Sequence, residues 1–209
     1  TALGVERKAG TPSVYDVLLG HITPAEAIQT SPEAPRLGCI PATIDLAGAE
    51  IELVSMPARE HRLRRAIAAI DTYYDYILID CPPSLGVLTV NALTASESVI
   101  IPVQAHYLSM KGMQLLMETI ELVREKLNPG LGILGILITM VDVRTRVSNQ
   151  AVAALRDMFG DKVFRAMIRQ NTKVIEASAT GRPVLETART SPPAQAYRQL
   201  AREVLHGQE

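Results

Sequence analysis

The sequence has no tryptophan and only two phenylalanines, so aromatic stacking surfaces are scarce. It has two cysteines, Cys39 and Cys81, far apart and outside any C-x-x-C spacing. In a chain of 209 residues this excludes a disulfide-stapled scaffold and points to reduced thiols in a cytosolic protein. Neither sign of charge is in excess: 21 Lys and Arg stand against 22 Asp and Glu, for a net −1. No global positive field draws such a chain to nucleic acid or acidic lipid, so any such binding has to come from a local patch. The longest apolar run, Ile133 to Val141, is interrupted by Gly135 and is too short to span a bilayer. It reads as a central strand. The first residues do not read as a secretory leader. His21, His61, His106 and His206 are scattered and share no zinc-ligand spacing.

A further absence concerns lysine after glycine. A loop of the form G-x-x-x-x-G-K-[ST] cradles a triphosphate with its amides and its lysine. The five lysines are Lys8, Lys111, Lys126, Lys162 and Lys173, and none follows a glycine. The chain opens at TALGVE, with neither an initiator Met nor a buried strand, and the expectation is that an N-terminal segment precedes it.

What is present is most informative from Tyr74 to Gly86, YDYILIDCPPSLG. The apolar run Tyr76-Ile77-Leu78-Ile79 ends in Asp80 and the breaker pair Pro82-Pro83. Such a run, bounded by turn signals, predicts a strand buried on both faces of a parallel sheet. An acid at the C-terminal tip of such a strand sits where open α/β sheets bind ligands, and in P-loop nucleoside triphosphatases an Asp there helps hold Mg²⁺. The plain alternative is that Asp80 ends a strand and caps the next helix.

Strands and helices alternate along the rest. Strands are predicted at Leu37–Ile40, Ile77–Asp80, Ser98–Val103, Ile133–Met140 and Val163–Ile168. Helices are predicted at Thr43–Val54, Arg59–Ile70, Val87–Ala95, Ser109–Leu127, Val147–Phe159 and Pro193–Leu205, the last ending near Gly207. In the first of these, Ile44, Ala47, Ile51 and Val54 fall at helical spacing. The basic residues of Arg59–Arg65 read as a solvated helix face. Gly4–Pro12 and Thr30–Pro35 read as surface loops. The alternation predicts an α/β chain: three layers, a mostly parallel sheet flanked by helices, in a single domain.

At this point the blocks SVYDVLLG, IPATIDLAGAEIELVS, YDYILIDCPPSLGVLTVNAL, IPVQ, ETIELVREKLNP and GILITMVDVRT, in that order, resemble the ParA/Soj-type partition ATPases. These are deviant-Walker P-loop proteins related to MinD. The resemblance implies a P-loop NTPase-like fold whose first strand and deviant Walker A loop, K-G-G-x-G-K-T, lie upstream of TALGVE. It also implies the cofactors ATP and Mg²⁺, and that the chain as given binds ATP poorly and does not turn it over.

By resemblance, Asp80 is the Walker B carboxylate, acting on Mg²⁺ through water. Pro82, Pro83 and Gly86 lie in a switch-like loop, and Gln104 presents a polar group to the site. Met140 and Asn171 border the adenine. The family's Pro-Arg-Asn reads Arg169-Gln170-Asn171 here, and its Ser-Glu-Ala-Pro reads Ile175-Glu176-Ala177-Ser178, so the base pocket departs from the pattern. Arg144 and Lys173 match two positions through which the family binds double-stranded DNA without sequence preference. Arg146, Arg165, Arg169 and Arg182 could extend that patch. Each has a structural alternative: turn formation for the prolines, a strand-end polar group for Gln104, core packing for Met140, solvated charge for the cations.

The family reading is an ATPase of chromosome or plasmid partition, located on the nucleoid in the cytoplasm. It dimerises on ATP, binds DNA nonspecifically and is stimulated by a ParB-like partner, with no membrane role. One alternative is a non-hydrolysing remnant acting as a protein-interaction module. Another is a MinD-like membrane-associated ATPase, which would require a basic amphipathic tail.

Overall fold

The computed structural model describes residues 3–206. The chain divides into two compact units. One holds Leu3–Glu97 and Thr119–Leu131, the other Ser98–Glu118 and the described residues from Gly132 onward.

In the first unit, helix α1 (Val14–Leu19) starts at a capping box in which the Asp16 carboxylate accepts from both the amide and the hydroxyl of Ser13, each at 3.0 Å. Helix α2 (Pro24–Ala27) repeats the device with Thr23 and Glu26. Two short strands follow, β1 (Gln29–Thr30) and β2 (Gly38–Cys39), paired antiparallel. The strand expected at Leu37–Ile40 therefore forms, but in a local ribbon and not in a parallel sheet.

Helix α3 (Leu46–Leu53) buries Ala49 and Leu53 against α1, with Leu46 packed beside them. The residues noted at helical spacing in the sequence lie on its exposed side: Ile44 is 83% and Ile51 77% accessible. Two apolar stripes run along this helix, and periodicity alone cannot say which one finds a partner. The predicted helix Arg59–Ile70 splits into a 3₁₀ turn, Arg59–His61, and helix α4 (Arg62–Ile67). Its basic residues are not simply a solvated face. Arg62 donates to the carbonyls of Leu18 and Leu19, each at 2.8 Å, and so closes the C-terminal end of α1. Helix α5 (Val87–Ala95) completes this core, in which Leu18, Leu19, Ala49 and Leu53 are packed by Leu63, Val87 and Leu88. Burying a leucine of this kind is worth about 1.5–3 kcal/mol.

The buried strand expected at Ile77–Asp80 does not form. Residues 76–82 have no regular secondary structure, and Tyr76 and Leu78 are 60% and 87% accessible. The physical reason is pairing. A strand is held by its ladder neighbours, and among the described residues this segment has none.

In the second unit, β3 (Ser98–Gln104), β4 (Gly132–Val141) and β5 (Val163–Arg169) form a parallel sheet in that order. Helix α6 (Tyr107–Lys126) connects β3 to β4; its residues from Thr119 belong to the first unit. Helix α7 (Arg146–Phe159) connects β4 to β5 and is capped by the Thr145 hydroxyl, which accepts from the Ser148 amide at 3.3 Å. After β5 come α8 (Thr172–Thr180), α9 (Val184–Thr187) and α10 (Pro192–His206). The predicted stop at Gly207 lies outside the described residues.

Strand–helix–strand crossovers with parallel pairing place this unit in the α/β class, as the alternation predicts. Leu137, Phe164 and Ile168 form its core with Tyr197, Leu200 and Val204 of α10. Gly135 makes that packing possible, because a Cβ there would stand 2.5 Å from the Phe164 ring. The outer edge of β5 is closed by Glu203 of α10, whose carboxylate accepts from the amides of Arg165 and Ala166 at 2.7 and 2.9 Å. The far edge of β3 has no ladder partner among the described residues.

Candidate functional site

Five of the sequence-predicted residues gather in the second unit at the C-terminal ends of its parallel strands. Gln104 is the last residue of β3 and pairs in register with Thr139. Met140 is the next residue of β4. From Ile138 to Val141, β4 takes three steps while β5 takes two from Met167 to Arg169, so Met140 lies in a bulge. Its φ is +54°, a left-handed conformation that costs a non-glycine residue roughly 1–2 kcal/mol. Core packing does not explain this methionine, which is 52% accessible. Strain of this kind persists where the surroundings over-determine it, and it clusters at ligand sites.

Asn171 begins α8, where its side chain accepts from the Lys173 amide at 2.9 Å and caps the helix. The Gln170 amide donates to the Val141 carbonyl at 3.1 Å, so the loop carrying Asn171 is tied to the end of β4 beside Met140.

The two cations expected to contact DNA are exposed but not free. Arg144 grips Asp142 with a two-pronged fork, Nε to Oδ1 and Nη2 to Oδ2, both 2.9 Å. That fork holds the Asp142 carboxyl below its ordinary range and raises the Arg144 guanidinium. Lys173 pairs with Glu176 at 2.7 Å.

Asp80, Pro82 and Pro83 belong to the first unit and are all exposed. Desolvation pushes the neighbouring Cys81 thiol upward, and the Asp80 charge adds to the effect. The loop is anchored behind, where the Thr89 hydroxyl donates to the Ser84 carbonyl at 2.5 Å.

Among the described residues no three His, Cys, Asp or Glu side chains cluster as a metal cage. That donor set still suits Mg²⁺, which is commonly held by one or two carboxylates, several waters and substrate phosphates. Asp80 could serve as that carboxylate. The bulged Met140 and the loop at Asn171 could border a nucleobase. A triphosphate cradle is a different matter, since the chain has no Gly-Lys pair to make one.

Sequence reasoning missed several residues that organise the first unit. Asn91, buried on α5, accepts from the Leu63 amide and donates to the carbonyls of Arg59 and Val87. Asn128 donates to the carbonyls of Leu93 and Ser96. Glu50 of α3 packs against Gly86 at the start of α5. Their partners are far away in the chain, so no local pattern marks them.

Comparison with known proteins gives these features a family. The AAA domain family matches residues 1–133. The sporulation initiation inhibitor protein Soj of Bacillus subtilis is 45% identical over 98% of this chain and 80% of its own. The chromosome partitioning protein ParA of Caulobacter vibrioides is 46% identical over 98% of this chain and 77% of its own. Among solved structures, cobyrinic acid a,c-diamide synthase from Mycobacterium smegmatis, with bound ADP and magnesium, is 36% identical. That match covers 99% of this chain and 78% of the other, at a TM-score of 0.81. With identities of this order along nearly its whole length, the chain belongs to the ParA/Soj family of partition ATPases.

Proposed function

We propose that the chain is the nucleobase- and Mg²⁺-binding part of a partition ATPase that dimerises on ATP, binds double-stranded DNA without sequence preference and is released by a stimulating ParB-like partner. The observation that carries the site is the bulged, left-handed Met140, beside Gln104 and the Asn171 loop at the C-terminal ends of parallel strands. Open α/β sheets bind ligands at that end. The relatives named for chromosome partitioning support the cellular role, and the ADP- and magnesium-bound neighbour supports the cofactors.

In this reading Met140 and the Asn171 loop lie against the base, and Gln104 offers a polar group beside them. Asp80 would hold Mg²⁺ through water, its carboxylate oxygens accepting from the ion's water ligands. Bound Mg²⁺ supplies neutralisation of phosphate charge. Arg144 and Lys173 contribute phosphate contacts, which position DNA without reading its sequence. The phosphate grip itself has to come from residues other than these, because none of the lysines follows glycine. A second reading is a non-hydrolysing module that keeps only the partner surfaces.

Titration calorimetry with Mg-ATP separates the two. The chain is measured alone and again preceded by a strand and loop bearing K-G-G-x-G-K-T. Binding by the extended form and not by the chain alone is the expected result. An extended form that is folded and still binds no Mg-ATP would sink the ATPase reading and favour the interaction module.

A further inference from the structure

One partly buried carboxylate plays no part in the roles assigned above. Glu50 lies on α3 beside the buried Ala49. Its Oε1 is shut off from solvent and has no hydrogen-bond partner among the described residues. An oxygen in that state has given up water without replacing it, which is the costly way to bury a polar atom. What it faces is Gly86. A Cβ at Gly86 would stand 2.5 Å from Glu50 Oε1 and 3.4 Å from its Cδ. The Gly86 backbone, φ −79° and ψ −170°, is extended and open to any residue. The carboxylate, and not the backbone, is what a side chain at this position would displace.

Gly86 is also the N-cap of α5, which has no side-chain cap and no acid in its first turn. The first amides of such a helix lack acceptors and carry partial positive charge. Glu50 brings a carboxyl oxygen to that end from a neighbouring helix. The Ser84 hydroxyl lies 3.8 Å from the same Cβ point, on the loop that Thr89 grips from behind. The loop 81–86 thus has a held rear and an exposed front, and the front follows directly on Asp80.

We propose that Glu50 is a positioning residue for Asp80. Its carboxylate holds the rear of the 81–86 loop and accepts from the Ser84 hydroxyl or a loop amide when the loop moves to set Asp80 beside bound Mg-nucleotide. The proposal rests on the nucleotide reading above. The unpartnered oxygen is then an acceptor that loop movement satisfies, which couples that movement to formation of a hydrogen bond.

The first test needs no nucleotide. Glu50→Ala, Gly86→Ala and the double variant of this chain are compared by thermal unfolding. Gly86→Ala alone drives a methyl into the carboxylate and lowers Tm by about 2–8 °C. In the Glu50→Ala background the same methyl has room, so the double variant matches Glu50→Ala. Additive Tm losses overturn the contact.

The second test uses the form extended with K-G-G-x-G-K-T. Glu50→Ala lowers kcat for ATP at least tenfold while KM moves less than threefold, and Glu50→Gln recovers most of the rate. A Glu50→Ala enzyme that turns over like its parent, or loses rate only in proportion to its unfolded fraction, overturns the positioning role. If the extended parent binds no Mg-ATP, the function reading falls and takes that role with it, while the Glu50–Gly86 cycle still judges the contact.

Discussion

Arg144 and Lys173 each hold a carboxylate of their own, and this governs what they can offer a DNA phosphate. To contact DNA, Arg144 has to exchange Asp142 for phosphate, an exchange between two anions of similar geometry. Replacing Arg144 by Ala is expected to reduce the slope of log affinity against log salt by about 0.9 for each phosphate the arginine neutralises. Asp142→Asn releases the arginine and is expected to strengthen DNA binding, as read by fluorescence anisotropy at several salt concentrations. The same pair makes a pH prediction. The folded Asp142 carboxyl is depressed by Arg144, so its contribution to stability is present above the ordinary carboxylate range. That contribution is lost as pH falls through the lowered value. In Arg144→Ala the Asp142 titration followed by NMR moves up towards its ordinary position; an unmoved titration would show that the fork does not persist in solution.

At the scale of elements, helix α3 poses the clearest question, because it carries one buried apolar stripe and one exposed. Leu53→Ala removes a fully buried side chain and is expected to cost about 2–5 kcal/mol in denaturant unfolding. Ile51→Lys, on the exposed stripe, is expected to change stability by less than about 0.5 kcal/mol. The reverse result would place the core on the Ile44–Ile51 face instead. Elements whose order is local were legible in the sequence. Helix α5 has the predicted bounds, and β3, β4 and α7 lie within a residue or so of theirs, since periodicity, Thr145 and Gly160 mark them directly. The placing of Gln104 and Met140 at the ends of strands was legible too, although nothing local announced the bulge at Met140. Features that depend on a distant partner were not legible. Tyr76 to Ile79 has strong strand composition but no ladder among the described residues, and Glu50 gains its meaning only from Gly86.

For the molecule as a whole, that unpaired stretch is a liability. Tyr76-Ile77-Leu78-Ile79 is apolar, uncharged and open to solvent at Tyr76 and Leu78. Segments of this kind pair with copies of themselves. Leu78→Lys is therefore expected to slow aggregation of the 209-residue chain several-fold, measured by light scattering and thioflavin fluorescence. Equal rates in parent and variant would place the sticky surface elsewhere. The β5 edge of the parallel sheet has its own protection, the two amides taken by Glu203, and this has a consequence for biosynthesis. The clasp is encoded well after the strand it covers, beyond α8, α9 and most of α10. A ribosome adding roughly 5–20 residues per second leaves β5 without its cover for seconds. During that interval the nascent chain is exposed to stray pairing, and the crowding of neighbouring ribosomes on one message becomes part of this fold's physics.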